Sequence, residues 1–160
     1  MNIVAYTDGS YKNVDDFGPV YSGAAIICCD DKDPVVLTTA GADPKYLKYR
    51  NISGEILAVI MVCEYCMNQL KVTQEDNLMI VHDYTGLHNW VKKPDEPGFW
   101  KAKTPVSMGY RDFINTKIKT RCNVIFKQIQ GHADTKGNLL VDQQAKEAIN
   151  NYVRKFTEKE

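Results

Sequence analysis

The sequence predicts an α/β fold in which a mixed five-stranded sheet, three antiparallel strands and then two parallel ones, is flanked by helices. Three observations carry this. Near the start, three runs of β-formers are joined by short polar connections, the signature of an antiparallel meander. The apolar period then changes to three and four over Ile52, Ile56, Val59, Ile60, Cys63, Met67 and Leu70, which is a helix. Beyond it strands alternate with helices, and right-handed crossovers place the later strands parallel to one of the first.

Taken in order, the first strand covers Ile3 to Asp8 and runs into Asp8-Gly9-Ser10, a turn signal that leaves an acid at the strand's carboxyl end. A polar loop from Tyr11 to Tyr21 leads to a second strand, Ser22 to Cys29, and the acidic turn Asp30 to Pro34 to a third, Val35 to Gly41. The long helix is expected from about Ser53, as N-cap, to Leu70, with Glu55 in its first turn where an acid complements the helix dipole. Leu78 to Asp83 is an unbroken apolar run closed by an acid, a strand buried on both faces. A short helical piece, Thr85 to Val91, and an irregular basic segment with Pro94 and Pro97 follow. Thr104-Pro105 then reads as N-cap and first residue of a helix presenting Val106, Tyr110, Phe113, Ile114 and Ile118. The fifth strand is Asn123 to Gln130. A loop from Gly131 to Asn138 precedes a last helix that starts near Val141, with Asp142 at its beginning and Ala145, Ala148, Ile149, Tyr152 and Phe156 on its buried face.

At 160 residues the chain is expected to form one domain, 1–160, with a self-sufficient core. Twenty basic residues balance twenty acids, so the molecule as a whole has no pull on a polyanion, and any nucleic acid must be held by a local patch or through cations. The balance is uneven. Between Asp8 and Asp33 six acids face two lysines, whereas between Trp90 and Lys127 nine Lys and Arg face three acids, which makes the second segment the place for phosphate contacts. Five cysteines, two of them adjacent at Cys28-Cys29, are the usage of a reducing compartment. Cys63 and Cys66 sit within a helical pattern without a second pair, so they read as core rather than as a redox or zinc motif. No apolar run approaches the length of a membrane span and no leader pattern opens the chain. A soluble, cytoplasmic monomer is expected.

Each acid has a bland explanation when taken singly: Glu55 as a helix-start charge, Asp83 and Asp142 as surface placements, His132 as an exposed loop histidine. Jointly, four acids mark four element ends that this topology gathers at one edge of the sheet. At these positions the chain resembles ribonuclease H of type 1. The matching blocks are Tyr6 to Ser10, Arg50 to Ala58, Ile80 to Gly86, Gly131-His132-Ala133, and Asn138 to Ala145 with Asp142, in the order and at the spacing the family uses. The Asp83-Tyr84-Thr85-Gly86 form, with Trp90, Trp100-Lys101 and Tyr110 to Phe113 downstream, is most similar to the bacterial branch often fused to an N-terminal hybrid-binding module, here expected to be absent. Leu139 stands where many relatives carry Glu, and the basic segment Lys92 to Lys103 is shorter than the helical protrusion of some members.

The resemblance implies a ribonuclease H-like fold and hydrolysis of the RNA strand of RNA–DNA hybrids by a two-metal-ion mechanism, leaving 5′-phosphate and 3′-hydroxyl ends. By position Asp8, Glu55, Asp83 and Asp142 correspond to the family's metal-binding carboxylates, and His132 to its mobile-loop histidine, acting in product departure or proton transfer. Converging carboxylates repel and favour hard cations, two Mg²⁺ ions or alternatively Mn²⁺. Selectivity would come from sensing 2′-hydroxyls; Asn13, Arg50, Asn51 and Thr85 lie near matching substrate-contact positions. Trp100 with Lys101 and Lys103 would serve the DNA strand as an aromatic platform and phosphate contacts, against a packing role for Trp100. Two rivals stand beside this reading: a noncatalytic hybrid-binding or interaction domain, and a DNA-cutting nuclease or strand-transferase on the same fold. The loss of a carboxylate would favour the first, and none is lost.

Overall fold

The structure is a computed structural model and describes residues 1–130 and 136–158. Its sheet has the strands β1 (Asn2–Val14), β2 (Gly18–Cys29), β3 (Val35–Gly41), β4 (Asn77–His82) and β5 (Asn123–Gln128), in the spatial order β3-β2-β1-β4-β5. β1, β2 and β3 pair antiparallel, while β4 pairs parallel to both β1 and β5. This is the mixed sheet that the sequence predicts.

Side-chain alternation along β1 assigns its two faces. Ile3 and Ala5 pack with Ala25 and Ile27 of β2 under α2 (Asn51–Asn68), whose Ile56, Val59, Val62, Cys63 and Cys66 complete the main core. On the opposite face Ala24 and Ile26 of β2 pack against Val141 and Ala145 of α5 (Lys136–Thr157). The helix α4 (Pro105–Phe113) continues as a π-helical turn over Ile114–Ile118 and buries Val106, Tyr110, Ile114 and Ile118 in the main core. Thr104 caps α4 as expected, through a capping box in which its hydroxyl accepts from the Ser107 amide while Ser107 Oγ accepts from the Thr104 amide. Two one-turn helices, α1 (Pro44–Leu47) and α3 (Gly86–Asn89), fill connections. Among the described residues no helix is long and apolar enough to cross a membrane.

The element ends differ from expectation in instructive ways. β1 does not turn at Asp8-Gly9-Ser10 but pairs with β2 as far as Val14, so Asp8 lies inside a strand. α2 begins at Asn51, two residues early, after Arg50 at φ 54°; Ser53 is not its cap but donates its hydroxyl to the Tyr46 carbonyl at 2.6 Å. Glu55 is therefore in the second turn and 3% exposed, not a surface charge on the helix dipole. α5 starts at Lys136, which puts Asp142 within the helix rather than at its start. Phe156 is 56% exposed rather than on the buried face, with its ring 5.8 Å from that of Phe17 and 5.0 Å from that of Tyr152.

Candidate active site

The site follows from where two strands part. Parallel pairing of β1 with β4 ends at Tyr6 opposite Val81, while β1 continues along β2 for eight more paired positions. Beyond Tyr6 the sheet is split, and Asp8 stands at the opening. Asp83 immediately follows β4 at the other lip. From one face α2 brings Glu55, and from the other α5 brings Asp142. Carboxylate oxygens of Asp8, Glu55 and Asp83 lie within 4.8 Å of one another. With Asn51, Tyr84 and Asp142 these acids line a cleft of ≈ 360 Å³.

Two glycines let Glu55 arrive there. A Cβ at Gly9 would stand 2.6 Å from the Gly54 carbonyl carbon and 2.7 Å from the Asn51 oxygen, and a Cβ at Gly54 would collide with the Ser22 oxygen. The first turns of α2 therefore rest on bare backbone of β1 and β2. In strand geometry the Gly9 amide donates to Asp8 Oδ1 at 2.9 Å and to Glu55 Oε1 at 3.2 Å, tying the two acids to one donor.

The electrostatics are those of crowded acids, of which Asp8, Glu55 and Asp83 form no ion pair among the described residues. Burial pushes the Asp8 carboxyl up to about 7, with Asp83 and Asp142 adding to the rise while its hydrogen bond to Glu55 opposes it. Glu55 is driven well above the usual carboxylate range, first by burial and then by Asp8 and Asp83. Its Oε2 is buried and has no hydrogen-bond partner among the described residues. An all-oxygen donor set with an orphaned buried oxygen fits a hard divalent cation.

The family model for RNase H matches residues 1–150. The chain belongs to the RNase H family. No curated protein matches it in sequence. Among solved structures it is similar to the N-terminal RNase H domain of a Mycobacterium tuberculosis protein, at TM-score 0.66 and 14% identity over 94% of this chain and 98% of that one. LC11-RNase H1, isolated from compost, aligns at TM-score 0.62 and 16% identity over 95% and 98% of the two chains. The same enzyme in complex with an RNA/DNA hybrid aligns at TM-score 0.60 and 17% identity over 92% and 99%. At these identities the likeness is one of fold.

Of the residues that sequence reasoning singled out in this RNase H chain, the structure brings Asp8, Glu55, Asp83, Asp142 and Asn51 to the cleft. Asp142 is close enough to Asp8 to raise its carboxyl, and its own Oδ2 lies 3.0 Å from Lys146 Nζ. His132 lies outside the described residues. Asn13 is exposed near the end of β1, and Arg50 is exposed with its guanidinium 5.9 Å from the Tyr11 ring centroid. Thr85 Oγ1 accepts from Gln128 Nε2 at 2.7 Å, which makes it a brace as well as a surface group. Trp100 is 40% exposed, with its ring edge-on to Tyr84 at 6.4 Å and to Trp90 at 6.2 Å, so it both packs and presents a face. Lys101 and Lys103 are exposed beside it.

Sequence reasoning missed Lys146 and His82. Lys146 had a visible signal, an acid–base pair at i,i+4 with Asp142. His82, next to Asp83, had none, because its 0% exposure comes from tertiary packing that includes Phe126 of β5. Burial pushes its imidazole down to about 4, so it is neutral.

Proposed function

We propose that the protein hydrolyses the RNA strand of RNA–DNA hybrids with two divalent cations, Mg²⁺ or Mn²⁺, leaving 5′-phosphate and 3′-hydroxyl ends. The observation that carries this reading is the convergence of Asp8, Glu55 and Asp83 within 4.8 Å, at a strand split, in a chain of the RNase H family. The hybrid bound by the structurally similar LC11 enzyme supports the choice of substrate.

Asp8, Glu55 and Asp83 would hold one cation, and Asp8 with Asp142 would hold the other. When bound, the cations supply Lewis acidity on both sides of the scissile phosphodiester. The chain's own part is to fix the donors: the Gly9 amide orients Asp8 and Glu55 together, and the backbone contact of α2 with β1 sets the depth of Glu55. Asn51 lines the cleft and would test the sugar edge of the RNA, where a 2′-hydroxyl both donates and accepts. Trp100, Lys101 and Lys103 form an exposed aromatic and cationic strip that suits the partner strand.

Cleavage of a labelled hybrid, compared with RNA duplex, DNA duplex and single-stranded RNA, in Mg²⁺, in Mn²⁺ and in chelator, tests the proposal. Metal-dependent cutting confined to the RNA strand of the hybrid is expected. Binding without cutting in either metal would instead assign a noncatalytic hybrid-binding role, and cutting of DNA would assign a different nuclease chemistry.

A further inference from the structure

We propose that His82 is a positioning residue: the hydrogen bond from its Nδ1 to the Tyr84 carbonyl, spanning Asp83, sets the aim of the Asp83 carboxylate. This rests on the reading of Asp83 as a cation ligand, and goes beyond it by assigning the group that holds that ligand in place.

Asp83 needs such a hold. β4 ends at His82, so Asp83 has no ladder partners, and it is exposed at the lip of the split. The chain is instead gripped from beneath. His82 Nδ1 lies 3.0 Å from the Tyr84 oxygen, a group that can only accept, so Nδ1 carries the proton. The opposite tautomer would break this bond and place an N–H at Nε2, a buried atom with no partner among the described residues. The ring itself cannot drift: it is 0% exposed and edge-on to Phe126 at 5.7 Å, and Phe126 is in turn stacked on His88 at 5.0 Å and 12°. On the β5 side the Ile129 amide donates to the His82 carbonyl at 2.7 Å. Gln128 Nε2 donates to Thr85 Oγ1 at 2.7 Å and, more weakly, to the Asp83 carbonyl at 3.4 Å. Backbone before, at and after Asp83 is thereby anchored to two strands, and among the described residues the one bond that bridges the aspartate directly is that from His82.

The rival explanation is that His82 merely fills space. The two ideas rank a pair of substitutions in opposite orders. Asn carries its amide nitrogen at the δ position, where it can still donate to the Tyr84 carbonyl, but it leaves a void beside Phe126. Gln fills more of the imidazole's volume but moves its donor one bond further out, away from that carbonyl.

The test uses the full chain: Mg²⁺ and Mn²⁺ affinity by calorimetry, kcat and KM on a labelled hybrid, and thermal stability, for wild type, His82→Asn and His82→Gln. His82→Asn is expected to keep cation affinity and kcat near wild type despite a lower Tm. His82→Gln is expected to lose about ten- to a hundredfold in cation affinity, the usual range when the group orienting a metal ligand is removed, with a lower kcat and an unchanged KM. Equal cation affinity in the two variants, or the reverse order, would overturn the proposal. So would a ¹⁵N spectrum of wild type showing His82 protonated at Nε2, a measurement that needs no variant to fold. A wild-type chain that takes up no divalent ion would remove the ligand role of Asp83 and this inference with it, whereas a wild type that binds and cuts while the variants follow the packing order would overturn the positioning role alone.

Discussion

Lys146, one turn after Asp142 along α5, holds its Nζ 3.0 Å from Asp142 Oδ2, so the acid that α5 brings to the cleft already has a cation. Asp142 raises the Lys146 ammonium above its ordinary value, and Asp8 adds a smaller push in the same direction. The pair is largely solvent-exposed and therefore weak, a hold that a divalent ion can break. Among the described residues Asp8, Glu55 and Asp83 form no ion pair, so the two proposed cation sites are unequal before any ion arrives. Lys146→Met should tighten Mg²⁺ binding by about two- to fivefold, the worth of an exposed ion pair, as read by calorimetry. Unchanged or weaker binding would show that Lys146 does not compete for Asp142.

Asp8 is the acid common to both proposed cation sites, and its replacement separates function from stability. Asp8→Asn should abolish hybrid cleavage, because neither cation keeps its shared ligand. In chelator the same variant should be more stable than wild type, since a buried charge facing Glu55 and Asp83 is gone. Each kcal/mol so relieved would raise Tm by about 2–4 °C for a chain of this size. Near-normal activity would falsify the ligand assignment, and a lower Tm in chelator would mean the carboxylate is not under repulsion.

These two acids also show how far the sequence alone carries. The meander, the long helix and the later parallel strands were all written in local periodicity, and Thr104-Pro105 marked the start of α4 through its own cap. Asp8-Gly9-Ser10 misled because the same dipeptide serves two purposes. Gly9 is there for the backbone of α2, contributed from more than forty residues away, and no local signal distinguishes that from a turn. For the same reason Ser53 looked like a cap: its hydroxyl is committed to Tyr46 by a tertiary contact. The π-helical turn at Ile114–Ile118 keeps Ile114 and Ile118 in the core and so matches the pattern expected of an ordinary helix. The four carboxylates could be picked out as a set, but their inequality could not, because it arises from which of them meets Lys146 and which is buried by α2.

Gly9→Ala tests the close approach of helix and strand. The new methyl group would meet backbone of Gly54 and Asn51, which has no flexible end to move aside. A cost of about 1–3 kcal/mol or more is expected, as for overpacking elsewhere, with Glu55 displaced from the split. In urea titrations the midpoint should fall, and at concentrations where the variant remains folded its Mg²⁺ affinity should fall too. An unperturbed midpoint would mean that α2 can lift without cost and that its contact with β1 does not set the depth of Glu55.

The metal-free protein should lose stability as the solution becomes more alkaline. In the folded chain Asp8 titrates at about 7 and Glu55 well above its ordinary value, while the same groups in an unfolded chain ionise near 3.8 and 4.5. The folded state therefore binds protons more tightly, and the stability this confers is complete below about pH 4 and lost as pH rises through 7. Each raised carboxyl contributes at most about 1.4 kcal/mol per pH unit across its own window. Thermal melts in chelator should accordingly show a higher Tm at pH 5 than at pH 8. Saturating Mg²⁺ should flatten the profile, because a cation replaces the protons as counter-charge, and Asp8→Asn should gain its stability chiefly at the alkaline end. If chelated wild type melts at the same temperature across this range, the acids are solvated rather than crowded, and the cluster would have no stored repulsion for a metal ion to relieve.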